Sequence, residues 1–145
     1  MTGEDEVELF DAAAALAARE AETSDDGEGV AAAARADDGA VITGVWVDAM
    51  VDSACLCAET GPICEAHRSG RRLLASICVR VVDGSDPMVL AACGVCQERL
   101  AVFGTDVLVG VGDDSSRGFA FRPLRDLRPA PWWDAIDPGA PVERA

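Results

Sequence analysis

Half of the 145 residues are apolar, enough to bury one hydrophobic core without staples and too many for a disordered chain. Twenty-six acidic residues stand against twelve basic ones, and the net charge of −14 opposes binding to a nucleic acid backbone. No segment approaches the ~18 consecutive apolar residues of a membrane helix, so neither nucleic acid nor a membrane is expected as a partner.

Val7, Phe10, Ala14, Ala17 and Ala21 recur at helical spacing and predict an amphipathic helix over residues 5–21. SDDGEG (24–29) ends it with turn formers. Residues 30–36 and 40–49 read as two strands joined by a DDG turn at 37–39. A helix over 58–69 follows and stops at Gly70. LLASICVRVV (73–82) is a continuous apolar run of the kind that forms a buried central strand, with DGSDP as the loop after it. Residues 93–102 suit a helix, 106–111 (DVLVGV) and 118–122 (GFAFR) two strands, and LRDL a last turn or short helix before PAPWW. Strands alternating with helices predict an α/β domain, a three-layer α/β/α sandwich with a mixed sheet of about five strands. The domain is expected to span residues 1–133, followed by a loose Pro/Gly-rich tail over 134–145.

The acidic surface has no Lys at all. Concentrated salt would relieve its self-repulsion, because the Debye length falls to roughly 3 Å at 1 M. This suits a halophile's cytoplasm; a GC-rich coding bias toward Ala, Arg, Gly, Val and Asp is the alternative. The opening MTGEDEVELF is acidic, unlike a signal peptide, so the cytoplasm is the expected compartment. The six cysteines then read as thiols or metal ligands rather than a disulfide framework.

Four groups stand out for chemistry. Cys57-Ala58-Glu59 opens one predicted helix and Cys93-Gly94-Val95-Cys96 opens another. A C-x-x-C at a helix start lets both sulfurs reach one ion, and a helix N-terminus favours the thiolate form. Cys57 adds a third sulfur and leaves one tetrahedral position open, the pattern of a catalytic zinc. Glu59, two residues beyond Cys57, projects near such an ion without having to bind it, and can move protons there. Pro62 is tolerated only in a first turn, which places the helix start near Ala58.

C-A-E followed by C-G-x-C-Q resembles the zinc signature of the cytidine deaminase family. TGVWVDA (43–49) sits where the small members carry a strand reading roughly TGVNVENA, and PLRDLRPAPW (123–132) is similar to their C-terminal L-x-x-L-L-P segment. The order of elements fits as well, so the resemblance covers residues 5–133. It implies that Cys57, Cys93 and Cys96 hold Zn2+ and that Glu59 is the proton shuttle. The implied reaction is hydrolysis of a small nucleoside, by attack of a zinc-activated hydroxide on C4 of cytosine with loss of ammonia. The backbone at Ala58 and near Cys93 would orient the exocyclic amine and the attacking water. The resemblance further implies a homotetramer with sites at subunit contacts, and a place in pyrimidine salvage.

The chain departs from the family pattern where the sugar would bind. Trp46 and Asp48 replace an Asn and a Glu that grip ribose hydroxyls from one face of a strand. Asp48 keeps an acceptor, whereas Trp46 offers a flat face and one N–H donor. The Arg that follows the glutamate in the family is Thr60 here, which leaves the −1 charge of a zinc tris-thiolate to be offset by helix N-termini or by Arg99. Ala92 takes the place of a Pro, and ETSDDGEG (22–29) lacks the aromatics and prolines of the family segment before the first strand. Two other readings stay open: a deaminase of a different amino-heterocycle stacked on Trp46, and a non-catalytic domain in which Cys55 is the fourth sulfur of a closed metal site.

The remaining candidates have plainer readings. Cys64 and His67 lie roughly 10 and 15 Å along the helix from Cys57 at ~1.5 Å per residue, too far to share its ion. Cys64 reads as a small buried residue, His67 as a surface group and Cys78 as core. Trp132 and Trp133 suit a cap over the site, a subunit contact or a plug beneath the tail, and the acidic clusters at 25–28 and 113–114 read as solvated turns.

Overall fold

The computed structural model describes residues 1–132; the expected domain end, Trp133 and the tail lie outside the described residues. Helix α1 spans Gly3–Thr23. Its start is fixed by a capping box, in which the Thr2 hydroxyl accepts from the Asp5 N–H while the Asp5 carboxylate accepts from the Thr2 N–H. Leu9, Ala13 and Ala17 form its buried line, one residue per turn, and Phe10, Ala14 and Ala21 flank it. Val7, expected on the inner face, is instead 40% exposed.

Six strands follow: β1 Glu28–Ala36, β2 Val41–Val45, β3 Leu73–Val82, β4 Met88–Leu90, β5 Leu108–Gly112 and β6 Phe119–Pro123. They form one sheet in the order β2-β1-β3-β5-β6, with β4 on β3. Only β3 and β5 run parallel, at Ala75–Leu108 and Ser76–Val109, so the sheet is mixed as expected, with six strands rather than five. One edge of β3 is shared: its first half pairs with β5, and Cys78, Val79 and Arg80 pair with β4.

Helix α1 covers one face of the sheet, packing on Ala31, Ala33, Ala75, Ile77 and Val79. The other face carries α2 (Thr60–Ser69) and α3 (Gly94–Leu100), packed on Ala34, Ala36 and Leu73. A short α4 (Leu124–Leu127) closes the described chain. The three-layer expectation therefore holds. Helix α2 ends where expected, with Gly70 in the left-handed conformation at φ 69°. Both site helices start one or two residues later than the sequence suggests, because Cys57 to Glu59 and Cys93 form the turns that feed them.

Alanine dominates β1 for a steric reason. Residues 31–34 are all fully buried alanines on a strand covered on both faces, where small side chains let helices on either side come close. Gly29 is the extreme case, because a Cβ there would lie 1.9 Å from the Ala17 carbonyl oxygen and 2.6 Å from the Ala21 nitrogen. Both are backbone atoms that no rotamer change can move. Gly29→Ala should therefore destabilise the protein by about 3 kcal/mol or more, read as a lower midpoint in urea unfolding.

Candidate metal and active site

The site is built where the starts of α2 and α3 meet over the sheet. Its floor is a cluster of Ala32, Ala58 and Cys78, with Val30 and Leu90 packed against it. Beside it, Cys57 arrives from the turn before α2 and packs, with the buried Cys96 in the first turn of α3, on the core between these helices and the sheet, while Cys93 caps the start of α3. Their three Sγ atoms lie within 4.8 Å of one another, and Cys57 and Cys93 are 3.6 Å apart. A tetrahedral site with metal–sulfur bonds of about 2.3 Å spaces its sulfurs about 3.8 Å apart. The donor set thus suits one soft divalent cation.

Glu59 is the residue just before α2 and is 5% exposed, one of two buried polar side chains among the described residues. Burial pushes the Cys57 and Cys96 thiols up, Cys96 furthest, and the negative charge of Glu59 adds to both shifts. Burial acts the same way on Cys93, but the N–H groups at the start of α3, chiefly that of Cys96, outweigh it and hold this thiol below its ordinary value. Cys78, beneath the cluster, is pushed up by burial and then by Glu59. Removing so many latent negative charges from water is costly, and a dication is the natural compensation.

Two contacts hold the helix starts in place. The Gln97 amide donates to the Ala92 carbonyl at 2.8 Å, bracing the turn that carries Cys93. Arg99 donates to the Thr60 hydroxyl at 2.8 Å, joining α3 to the first residue of α2 beside Glu59. Arg99, a candidate helper from the sequence, is thus brought to the Thr60 position.

Trp46 and Asp48 lie just past β2. The Trp46 N–H donates to the Val30 carbonyl at 2.9 Å, and its side chain is 44% exposed. Both residues line a cavity of about 710 Å³, shared with Glu28, Arg80, Val30 and Leu90. The three thiols are not on its wall; Val30 and Leu90, which line it, also pack against Ala32, Ala58 and Cys78. Glu28 and Arg80 were not candidates from the sequence. They form a two-armed ion pair with both contacts at 2.6 Å, and the pair holds the Glu28 carboxyl below its usual range. The only signal was their register, since Val30 and Arg80 face each other across β1 and β3 two residues from Glu28.

The other cysteines sort clearly. Cys55 does not join the group of three; its thiol meets the Asp48 carboxylate at 3.3 Å. Cys78 is core, and His67 lies on the surface. Cys64 departs from expectation and is exposed. The inner face of α2 is set by Pro62, Ile63 and Ala66, and Cys64 is turned about 100° from Ile63, toward solvent. Trp132 is also exposed rather than a plug, and its indole N–H donates to Glu98 on α3 at 3.0 Å. The acidic clusters are turns in part: Asp26 accepts from Ser24 and the Glu28 N–H, and Asp113 from the Ser115 N–H, while Glu28 belongs to β1.

A crystal structure of cytidine deaminase from Bacillus anthracis superposes with a TM-score of 0.81, at 36% identity over 90% of this chain and 91% of that one. The chain belongs to the cytidine deaminase family. Cytidine deaminase from Mycobacterium tuberculosis is similar in structure, with a TM-score of 0.63 and 33% identity over 85% of this chain and 96% of that one. In sequence, a curated cytidine deaminase of the same organism is 42% identical over 81 residues. That aligned stretch spans 55% of this chain and 58% of the relative's length. No protein-family model matches the chain.

The cysteine cluster depends on a backbone contact between β2 and the start of α2. A Cβ on Gly44 would lie 2.5 Å from the Ala58 carbonyl oxygen and 2.6 Å from Pro62 Cδ, and one on Gly61 would lie 3.3 Å from Gly44 Cα. Gly44→Ala should push the start of α2, with Cys57 and Glu59, off the sheet. We expect a loss of about 1–3 kcal/mol in unfolding free energy, together with weaker divalent-metal uptake in a chelator competition.

Proposed function

We propose that the protein deaminates cytidine or deoxycytidine by hydrolysis, with Cys57, Cys93 and Cys96 holding a zinc ion and Glu59 moving the protons. The observation that carries this reading is the meeting of three thiols within 4.8 Å, one of them two residues before a buried glutamate. When bound, zinc would supply an activated water at the open fourth position. Glu59 takes up the first proton released and delivers it to the ring nitrogen N3; it then takes the proton of the hydroxyl added at C4 and delivers it to the amine, which leaves as ammonia as the C4 carbonyl forms. The backbone at Ala58, 1% exposed on the floor, holds the amine edge of the ring.

Trp46 and Asp48 hold the rest of the substrate. Asp48 accepts from a sugar hydroxyl, and the Trp46 ring supplies a face for an apolar surface. Arg99 offsets the charge of the tris-thiolate from the Thr60 side, in place of a basic residue directly after Glu59. A 5′-phosphate has little to bind in this cavity. Its Arg80 is already paired with Glu28, and Glu20, Asp26 and Asp48 add negative charge.

The test is ammonia release in molar salt with zinc supplied. Cytidine and deoxycytidine should turn over, and cytidine 5′-monophosphate should be processed about tenfold or more less efficiently. Glu59→Gln should lose activity by about 10²–10⁴-fold while keeping its zinc, and Cys96→Ser should lose the zinc itself. A zinc-loaded wild type that leaves both nucleosides untouched would refute the reading.

We further infer a cytoplasmic, salt-adapted homotetramer that serves pyrimidine salvage. The loop after β2 exposes Val47, Met50, Val51 and Leu56, with Met50 fully exposed, an apolar surface that a second copy of the chain would cover. The net charge of −14 opposes such contacts at low ionic strength. Sedimentation should therefore find the tetramer in molar salt and smaller species in dilute buffer. Among the described residues, no helix is long and apolar enough to cross a membrane.

A further inference from the structure

Cys55 lies two residues before a cluster cysteine, yet its sulfur points elsewhere. The cause is a short antiparallel bridge that closes the loop after β2. The Val47 N–H donates to the Leu56 carbonyl and the Leu56 N–H donates to the Val47 carbonyl, both at 3.0 Å. Residues that exchange both bonds are flanked by pairs that exchange none, and in those the side chains come closest. The register of the bridge therefore sets Asp48 opposite Cys55 and Trp46 opposite Cys57. Alternation puts all four on one side of this ribbon.

The contacts agree with that register. The Cys55 thiol donates to Asp48 Oδ1 at 3.3 Å, and the Ala49 N–H donates to the same oxygen at 3.0 Å. The carbonyls of Ala49 and Val51 lie 3.8 and 4.0 Å from the sulfur, so it sits in a small nest of acceptors. Both donors converge on Oδ1. Among the described residues none reaches Oδ2, which keeps its lone pairs for a ligand in the cavity that Asp48 lines. Asp48 is otherwise an exposed side chain on a loop, free to sample rotamers, and each rotamer frozen on binding costs affinity.

We propose that Cys55 is a positioning residue for the substrate: its thiol fixes the Asp48 carboxylate in the orientation that accepts the sugar hydroxyls, and it is not a ligand of the metal. This rests on the reading that Asp48 faces the sugar. It makes the grip on ribose a two-residue device, carried by a carboxylate and the thiol that aims it.

The experiment measures binding apart from turnover. Zinc-loaded Glu59→Gln protein is titrated calorimetrically with cytidine and with 2′,3′-dideoxycytidine, alone and combined with Cys55→Ala or Cys55→Ser. Zinc content and the thermal midpoint are recorded for each variant. Cys55→Ala should weaken cytidine binding about tenfold, change dideoxycytidine binding less than twofold and retain zinc. Cys55→Ser keeps a donor on the same carbon and should restore most of the affinity for cytidine. The proposal is overturned by undiminished cytidine binding in Cys55→Ala, by equal losses on both ligands, by no rescue in Cys55→Ser, or by loss of zinc. Failure of the parent to bind either nucleoside would overturn it together with the deaminase reading. The expected binding pattern alongside a wild type that releases no ammonia would remove the proposed reaction and uphold the role of Cys55.

Discussion

Everything at the site depends on how closely the start of α2 lies on the sheet. Gly44 on β2 and Gly61 on α2 meet with no side chain between them, and the Ala58 carbonyl rests where a Cβ of residue 44 would be. Beneath them Ala32 and Cys78 are small enough for Ala58 to be fully buried. That close approach brings Cys57 within 3.6 Å of Cys93 and buries the Glu59 carboxylate. A larger residue at any of these contacts would lift the helix and widen the sulfur triangle. Strand β1 shows the same economy on its other face, where Gly29 touches the α1 backbone.

The second constraint is electrostatic. The fold gathers three thiols and a carboxylate in a chain that already carries fourteen excess negative charges. Burial and neighbouring negative charge push the Cys57 and Cys96 thiols up, while the backbone at the start of α3 holds that of Cys93 down. Three thiols gathered this closely form a donor set that could hold one cation, which would relieve the charge they carry when ionised. Positive charge is placed sparingly around it. Arg99 reaches Thr60, Arg80 is occupied by Glu28, and Arg128 is drawn to Glu98. The region beside the site thus stays negative, consistent with a neutral ligand.

The site was more legible in the sequence than its surroundings. Two short cysteine motifs at predicted helix starts, separated by a buried strand, leave few ways to place the sulfurs except together, and the structure brings them together. Packing details were less legible. In α1, alanine occurs on several faces and gives little contrast, so the centre of the buried line falls on Leu9, Ala13 and Ala17 rather than on the register begun at Val7. Strand β4 is three residues long and follows a proline, too short to show alternation. Cys64 illustrates a residue preference overridden by position: free cysteines tend to be buried, but the inner face of α2 was already taken by Ile63 and Ala66. The aim of the Cys55 thiol could not be read without the register of the Val47–Leu56 bridge.

That bridge also sets the surroundings of Trp46 and Asp48, the two positions where the sequence departs from the family pattern. A strand that offers an Asn and a Glu holds a hydroxyl with two independent groups, whereas here one of the positions is an indole. The ribbon compensates by running back on itself, so that residues 55 and 57 lie opposite 48 and 46. The cross-strand neighbour of Asp48 would then do, in the role proposed for Cys55, what a longer side chain at position 48 would do alone. It brings a carboxylate oxygen to a fixed place, using a thiol contact in exchange for reach. Because Cys57 closes the same ribbon, the carboxylate proposed to hold the sugar and the first sulfur of the cluster lie on one short segment. A shift of the ribbon would move both together, which would keep constant the distance between the proposed sugar and metal positions that such a reaction has to hold.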